Sequence, residues 1–169
     1  MTMLRGHRRL LVGKKGWKCE DLLGRLDRHP MRGRRLWVFH DLNDDELDGC
    51  YRGARAMVSS SRIEGFGLPV VEALSRGCPA WLSDIPVYRE VGGDFCLYFS
   101  LASPASLAGM LEANERPGGI QPPRPAAEFH WPNWEASTEG LLRQIRKLSA
   151  GEPVRGNWAQ ESSSGRGQE

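Results

Sequence analysis

Short apolar runs alternate along this chain with longer stretches in which apolar residues return every three or four positions. The runs at 9–12, 36–39, 56–59, 80–82 and 96–99 predict strands, and most place apolar residues side by side, as a strand buried on both faces requires. The longer stretches predict helices at 19–28, 44–52, 69–76, 86–91, 104–115 and 134–148. Two helix starts are chemically marked. Asn43 can cap the second helix with Glu46 three residues on, and Ser103 can cap the fifth with Pro104 in its first position. Strand and helix in turn imply an α/β fold, a single Rossmann-like, doubly wound parallel sheet with helices on both faces. Ligands of such sheets bind beyond the carboxyl ends of the strands.

At one of those ends the sequence is unusual. Apolar Ala56-Met57-Val58 gives way to Ser59-Ser60-Ser61, a strand running into a polar turn, and Gly65 and Gly67 then allow the backbone to approach a ligand without a side-chain clash. Pro69 suits the start of a helix because its φ is already helical and its missing N–H needs no partner; Gly77 suits the end. Such a helix leaves the amides of Phe66, Gly67 and Leu68 unpaired at the positive end of its dipole, an anion site fitted to a diphosphate or to sugar oxygens. Glu72 follows Leu68 by one helical turn, and an ionised carboxylate, having only acceptors, can take both hydrogens of a ribose diol. Glu64, ahead of the loop, faces the hydroxyls of a transferred sugar on this reading. Taken alone, a glycine-rich turn and two glutamates eight residues apart also describe a tight turn beside a solvated pair. A glycoside hydrolase also uses paired acids, but it has no phosphate to hold, and here the acids flank an anion site.

The motif E-x7-E, written here as Glu64-Gly65-Phe66-Gly67-Leu68-Pro69-Val70-Val71-Glu72, resembles the donor-binding C-terminal domain of retaining GT-B glycosyltransferases of group 1. The resemblance continues through Leu11 to Trp17, Val38-Phe39, Asp44 to Leu47, Tyr51 to Ala56, Gly77-Cys78-Pro79, Ser83 to Pro86, Arg89 to Asp94 and Trp131 to Ser137, in family order over roughly residues 9 to 148. It implies transfer of a hexosyl group, mannosyl or glucosyl, from a nucleoside diphosphate sugar such as GDP-mannose to a hydroxyl acceptor with retention. On the same resemblance Glu64 is the catalytic position, and Gly65, Phe66, Gly67, Leu68 and Glu72 bind the donor. His40 and Leu42 would lie by the nucleobase, although a lone histidine at a strand end is more often structural. No metal and no further cofactor are implied. Trp131 and Trp134 are expected to be packing anchors and Glu90 to be structural. Family members also carry a preceding acceptor-binding domain and an Arg and Lys that clamp the diphosphate, neither of which has a matching position; Arg5, Arg8 and Arg9 do not fit that motif. Two readings follow, the donor half of an enzyme or a non-catalytic module that binds nucleotide sugars. Leu141, Leu142, Ile145 and Leu148 form an apolar stripe for which a separate acceptor domain or a second copy is the expected partner.

Composition narrows the class further. A chain of 169 residues with 40% hydrophobic content can bury one core, hardly two Rossmann-like domains, and a net charge of +2 gives no general attraction to nucleic acid. Basic residues crowd the first 35 positions, either a solvated face or a peripheral contact with anionic headgroups at the inner face of the membrane. Four unevenly spaced cysteines fit neither a metal pattern nor a disulfide framework, and with no long apolar stretch the expected location is the cytoplasm. Residues 116–125 read as a proline- and glycine-rich loop. Residues 1–149 are expected to form the nucleotide-sugar domain, and 150–169 a disordered polar tail.

Overall fold

The computed structural model describes residues 1–5 and 8–152 of the chain. Its strands are β1 (Thr2–Arg5), β2 (Arg8–Val12), β3 (Leu36–Phe39), β4 (Ala56–Ser59), β5 (Ala80–Ser83) and β6 (Cys96–Phe99). Its α-helices are α1 (Glu20–Asp27), α2 (Asp44–Gly53), α3 (Leu68–Ser75), α4 (Pro86–Gly92), α5 (Pro104–Glu115) and α6 (Trp134–Ser149). Met1–Phe129 make one compact unit, and a second runs from His130 onward. The expected polar tail lies, from residue 153, outside the described residues.

One six-stranded sheet organises the first unit, in the order β3-β2-β1-β4-β5-β6. The expected α/β, Rossmann-like class holds: β2 pairs β3 in parallel, and β4, β5 and β6 are parallel neighbours. The sequence pattern did not reveal β1, which lies mid-sheet and runs antiparallel to both β2 and β4. Its direction is forced, since two residues separate it from β2 and a parallel pair needs a crossover of a dozen or more. Only Met3 and Leu4 are apolar in β1, yet they are 1% and 4% exposed because the strand is flanked on both sides. Thus β2 to β6 all point the same way and deliver their carboxyl ends to one edge.

The alternation of side chains along strands divides the core between the two faces. Leu4, Ala56, Val58, Trp81 and Phe99 pack together, with Leu107, Met110 and Leu111 of α5 laid over them. The alternate positions Met3, Met57, Ala80, Leu82 and Cys96 are equally buried, as are Val70, Ala73 and Leu74 of α3 and Tyr88 and Val91 of α4. Helix ends follow the local chemistry. Asn43 and Glu46 exchange both bonds of a capping box at 2.9 Å, and Ser103 Oγ accepts from the Ala105 amide at 3.2 Å. All four cysteines are free; burial pushes the Cys78 thiol up to about 11 and that of Cys96 up to about 12.

In the second unit, Asn133 caps α6 through the Ala136 amide. Leu141, Leu142, Ile145 and Leu148 are exposed there, as the apolar stripe suggested. Trp134 is not the expected packing anchor: it is 91% exposed, because it heads α6 with no other helix of its unit described beside it.

Candidate functional site

The loop between β4 and α3, at the carboxyl edge of the sheet, carries Glu64, and α3 itself carries Glu72. Helix α3 begins at Leu68, one residue earlier than expected, with Gly67 as its N-cap and Pro69 in its first turn. Gly67 has φ 87°, a left-handed conformation that favours glycine, and a Cβ there would sit 3.0 Å from Tyr88 Cε1. A Cβ at Gly65 would meet nothing within 4 Å. The fold itself demands glycine at 67 and leaves open space at 65. At the start of α3 the amides of Gly67 and Leu68 have no intrahelical acceptor. Ile63, Phe66 and Leu68 expose apolar side chains around them, at 88%, 40% and 62%.

Glu64 is held from two sides. Ser61 Oγ donates to its Oε1 at 2.6 Å, and Tyr88 Oη donates to the same oxygen at 3.1 Å. Tyr88 has one proton and gives it to the carboxylate, so the 2.7 Å contact with Ser59 Oγ has the serine as donor. Behind this pair, Ser83, fully buried at the end of β5, donates to the Ser61 carbonyl at 2.5 Å. Tyr98 Oη lies 3.1 and 2.9 Å from the carbonyls of Tyr88 and Gly93 and shares its one proton between them, fixing the end of α4. Burial raises the Tyr88 phenol above its ordinary range, which keeps it a proton donor at neutral pH.

Glu72 is held in a different way. Tyr51 of α2, with no exposed surface, donates to Glu72 Oε2 at 2.9 Å. Burial first, and the adjoining carboxylate second, raise the Tyr51 phenol far above its ordinary range, so it too stays protonated. Arg76 completes the frame. Its Nη1 donates to the Glu72 carbonyl at 3.0 Å, its Nε pairs with Asp48 at 2.7 Å, and its guanidinium lies 5.3 Å from the centre of the Tyr51 ring. Asp48 also accepts from Arg52 at 2.6 Å, and the two arginines hold its carboxyl below the usual range.

Met1 lies beside the brace of Glu72. Its Sδ is 3.1 Å from Tyr51 Oη, which holds Glu72. Burial lowers the pKa of its amino group, while the charge of Glu64 acts to raise it. Glu64 stands just ahead of α3 and Glu72 one turn into it, so the braced carboxylates flank the start of that helix.

The other expected site residues sit apart from this frame. His40 Nδ1 is 2.9 Å from the Gly13 carbonyl, so the ring carries its proton on Nδ1 and ties the end of β3 to the loop after β2. Leu42 is half-buried just ahead of the α2 cap. Among the described residues no hydrogen bond links either of them to Glu64 or Glu72. Glu90 is exposed on α4. Among the described residues no group of three or more His, Cys, Asp or Glu could hold a metal ion, and no helix is long and apolar enough to cross a membrane.

Tyr51, Ser61, Ser83 and Tyr88 were not among the site residues expected from the sequence. A usable signal exists for the tyrosines, each a polar-tipped aromatic at an otherwise buried helical position.

Comparison with known proteins identifies a family. The family model of Glycosyl transferases group 1 matches residues 27–104, which span β3 to the start of α5 and contain both glutamates. The chain is 32% identical over 142 residues to the serotype-specific mannosyltransferase WbdA of Escherichia coli, a match covering 80% of this chain and 17% of that protein. It is 36% identical over 85 residues to the O-antigen chain mannosyltransferase B of Escherichia coli, covering 50% of this chain and 22% of the relative. It is 42% identical over 64 residues to the O-antigen chain mannosyltransferase RfbU of Salmonella typhimurium, covering 38% and 18%. The chain thus spans about a sixth of the length of WbdA. With the motif, the sheet and the matched segment in agreement, the chain belongs to the group 1 glycosyltransferases.

Proposed function

We propose that this chain is the donor-binding part of a retaining mannosyltransferase that uses a nucleoside diphosphate mannose, GDP-mannose, and passes the sugar to a hydroxyl of a growing polysaccharide. The observation that carries the reading is the pair of braced carboxylates flanking the start of α3. The names of the relatives supply the mannosyl group and the polysaccharide.

In this reading the diphosphate meets the amides of Gly67 and Leu68, where the partial positive charge of α3 is greatest. Gly65 leaves room for the phosphate to come close. As the bond to the anomeric carbon breaks, negative charge grows on the leaving diphosphate, and donors already in place stabilise it without reorganisation. Glu64 orients the hydroxyls of the transferred sugar and Glu72 accepts from the ribose. Neither is a general base; the leaving phosphate takes the acceptor proton. His40 and Leu42 border the nucleobase, where main-chain groups read its edge.

Calorimetric titration of the chain with GDP-mannose, UDP-glucose and ADP-glucose tests the reading. Tightest binding of GDP-mannose is expected. Equal or absent binding of all three would refute the donor assignment. Binding without transfer to any acceptor, once the chain is supplied with an acceptor-binding domain, would favour the non-catalytic module.

A further inference from the structure

We infer that Tyr88 and Tyr51 are positioning residues, one for each acid, and that they fix which carboxylate oxygen the donor meets: Oε2 of Glu64 for the transferred sugar and Oε1 of Glu72 for the ribose. The inference rests on the reading of the two glutamates given above. On Glu64, both donors from the protein converge on Oε1, and on Glu72 the tyrosine takes Oε2. Among the described residues the other oxygen of each acid accepts no hydrogen bond from the chain. A free glutamate samples several rotamers and must lose that freedom when a ligand binds. A buried phenol, with two torsions of its own and no competing water, removes most of the loss beforehand.

Both phenols are themselves fixed. Tyr88 is 1% exposed, receives a bond from Ser59, and carries its ring edge directly under Gly67. The same side chain therefore sets the carboxylate and the height of the loop whose amides open α3. Tyr51 is wholly buried, with the Arg76 guanidinium over its ring and the same arginine bonded to the Glu72 main chain. The two braces come from different helices, α4 and α2, so each can be removed without touching the other.

This independence makes a crossed test possible. Affinities are measured by calorimetry on the intact chain for whichever of GDP-mannose, UDP-glucose and ADP-glucose binds best, for the matching diphosphate without sugar, and for its 2′,3′-dideoxy form. Tyr51→Phe is expected to weaken the diphosphate by about 5- to 10-fold and to erase most of its advantage over the dideoxy form, the effect of one hydrogen bond to a charged group. Tyr88→Phe should change the diphosphate by less than about 2-fold and remove most of the extra affinity that the sugar brings. Melting curves check that the variants fold. If Tyr88→Phe does not, Ser61→Ala removes the other donor from the same oxygen and must show the same loss confined to the sugar. A phenylalanine variant that weakens all three ligands alike, or none, overturns the inference while Glu64→Ala and Glu72→Ala keep their losses. If those two alanine variants bind like the parent, the reading of the glutamates falls and the inference with it.

Discussion

The loop from Ser59 to Gly67 and the turn from His40 to Asn43 leave the same edge of the sheet from β4 and β3, with two strands between them, and they are built in opposite ways. In the first, buried side chains from β5 and α4 reach into the loop: Ser83 holds the Ser61 carbonyl, Tyr88 holds Glu64, and Gly67 rests on the Tyr88 ring. In the second, the side-chain bonds among the described residues are one imidazole bond to Gly13 and an exposed capping box. The lesson is that a carboxylate aimed at a ligand needs a rigid seat, because its reach is long and its rotamers many, whereas main-chain groups that read a base edge are already placed by the strand they end. Strength of fastening thus follows the kind of group presented.

The difference is largest at the two loop glycines. Gly67→Ala should lower stability by about 2–3 kcal/mol, combining a left-handed φ with a steric clash, and scanning calorimetry would register it as a drop of several degrees. Gly65→Ala should stay within about 0.5 kcal/mol, since space is open there, and should show its effect in weaker nucleotide-sugar binding. Ser83→Ala comes next. It strands the Ser61 carbonyl and should cost about 1–2 kcal/mol by urea unfolding, while an equal cost from Ser100→Ala on the exposed surface would mean that burial is not what matters. His40→Ala, in the loosely fastened turn, should cost no more than about 1 kcal/mol and leave the effect of Gly67→Ala unaltered, as expected for independent sites. Asp48→Asn is the smallest. Arg52 and Arg76 depress the folded-state pKa of Asp48, so its contribution is present above the unfolded value and fades as pH falls through the folded one. The substitution should flatten the acid limb of a stability profile slightly, because Asp48 is only half-buried and the pair is screened.

What could be read from the sequence was what is local. The run Ala56 to Ser59, the proline in the first turn of α3 and the capping box at Asn43 are each specified within a few residues; the run and the box appear where the pattern puts them, and α3 starts one residue early. Strand β1 was illegible because two apolar residues do not make a pattern; its burial comes from β2 and β4 on either side. The braces were illegible for a related reason. Tyr88 lies 24 positions from Glu64, and Tyr51 lies 21 from Glu72, distances at which nothing in the local spacing announces a contact. Gly65 and Gly67 look alike in the motif, and only the left-handed φ of Gly67 and the ring of Tyr88 beneath it separate a glycine required by the fold from one the fold leaves optional.

Most direct of all is a comparison of nucleotide-sugar affinity in three proteins: the parent chain, Glu72→Ala and Glu90→Ala. The braced acid on α3 should lose about 10-fold or more in affinity on truncation, and the exposed acid on α4 almost nothing. Equal losses, or none from Glu72→Ala, would contradict the claim that the two held carboxylates form the donor site.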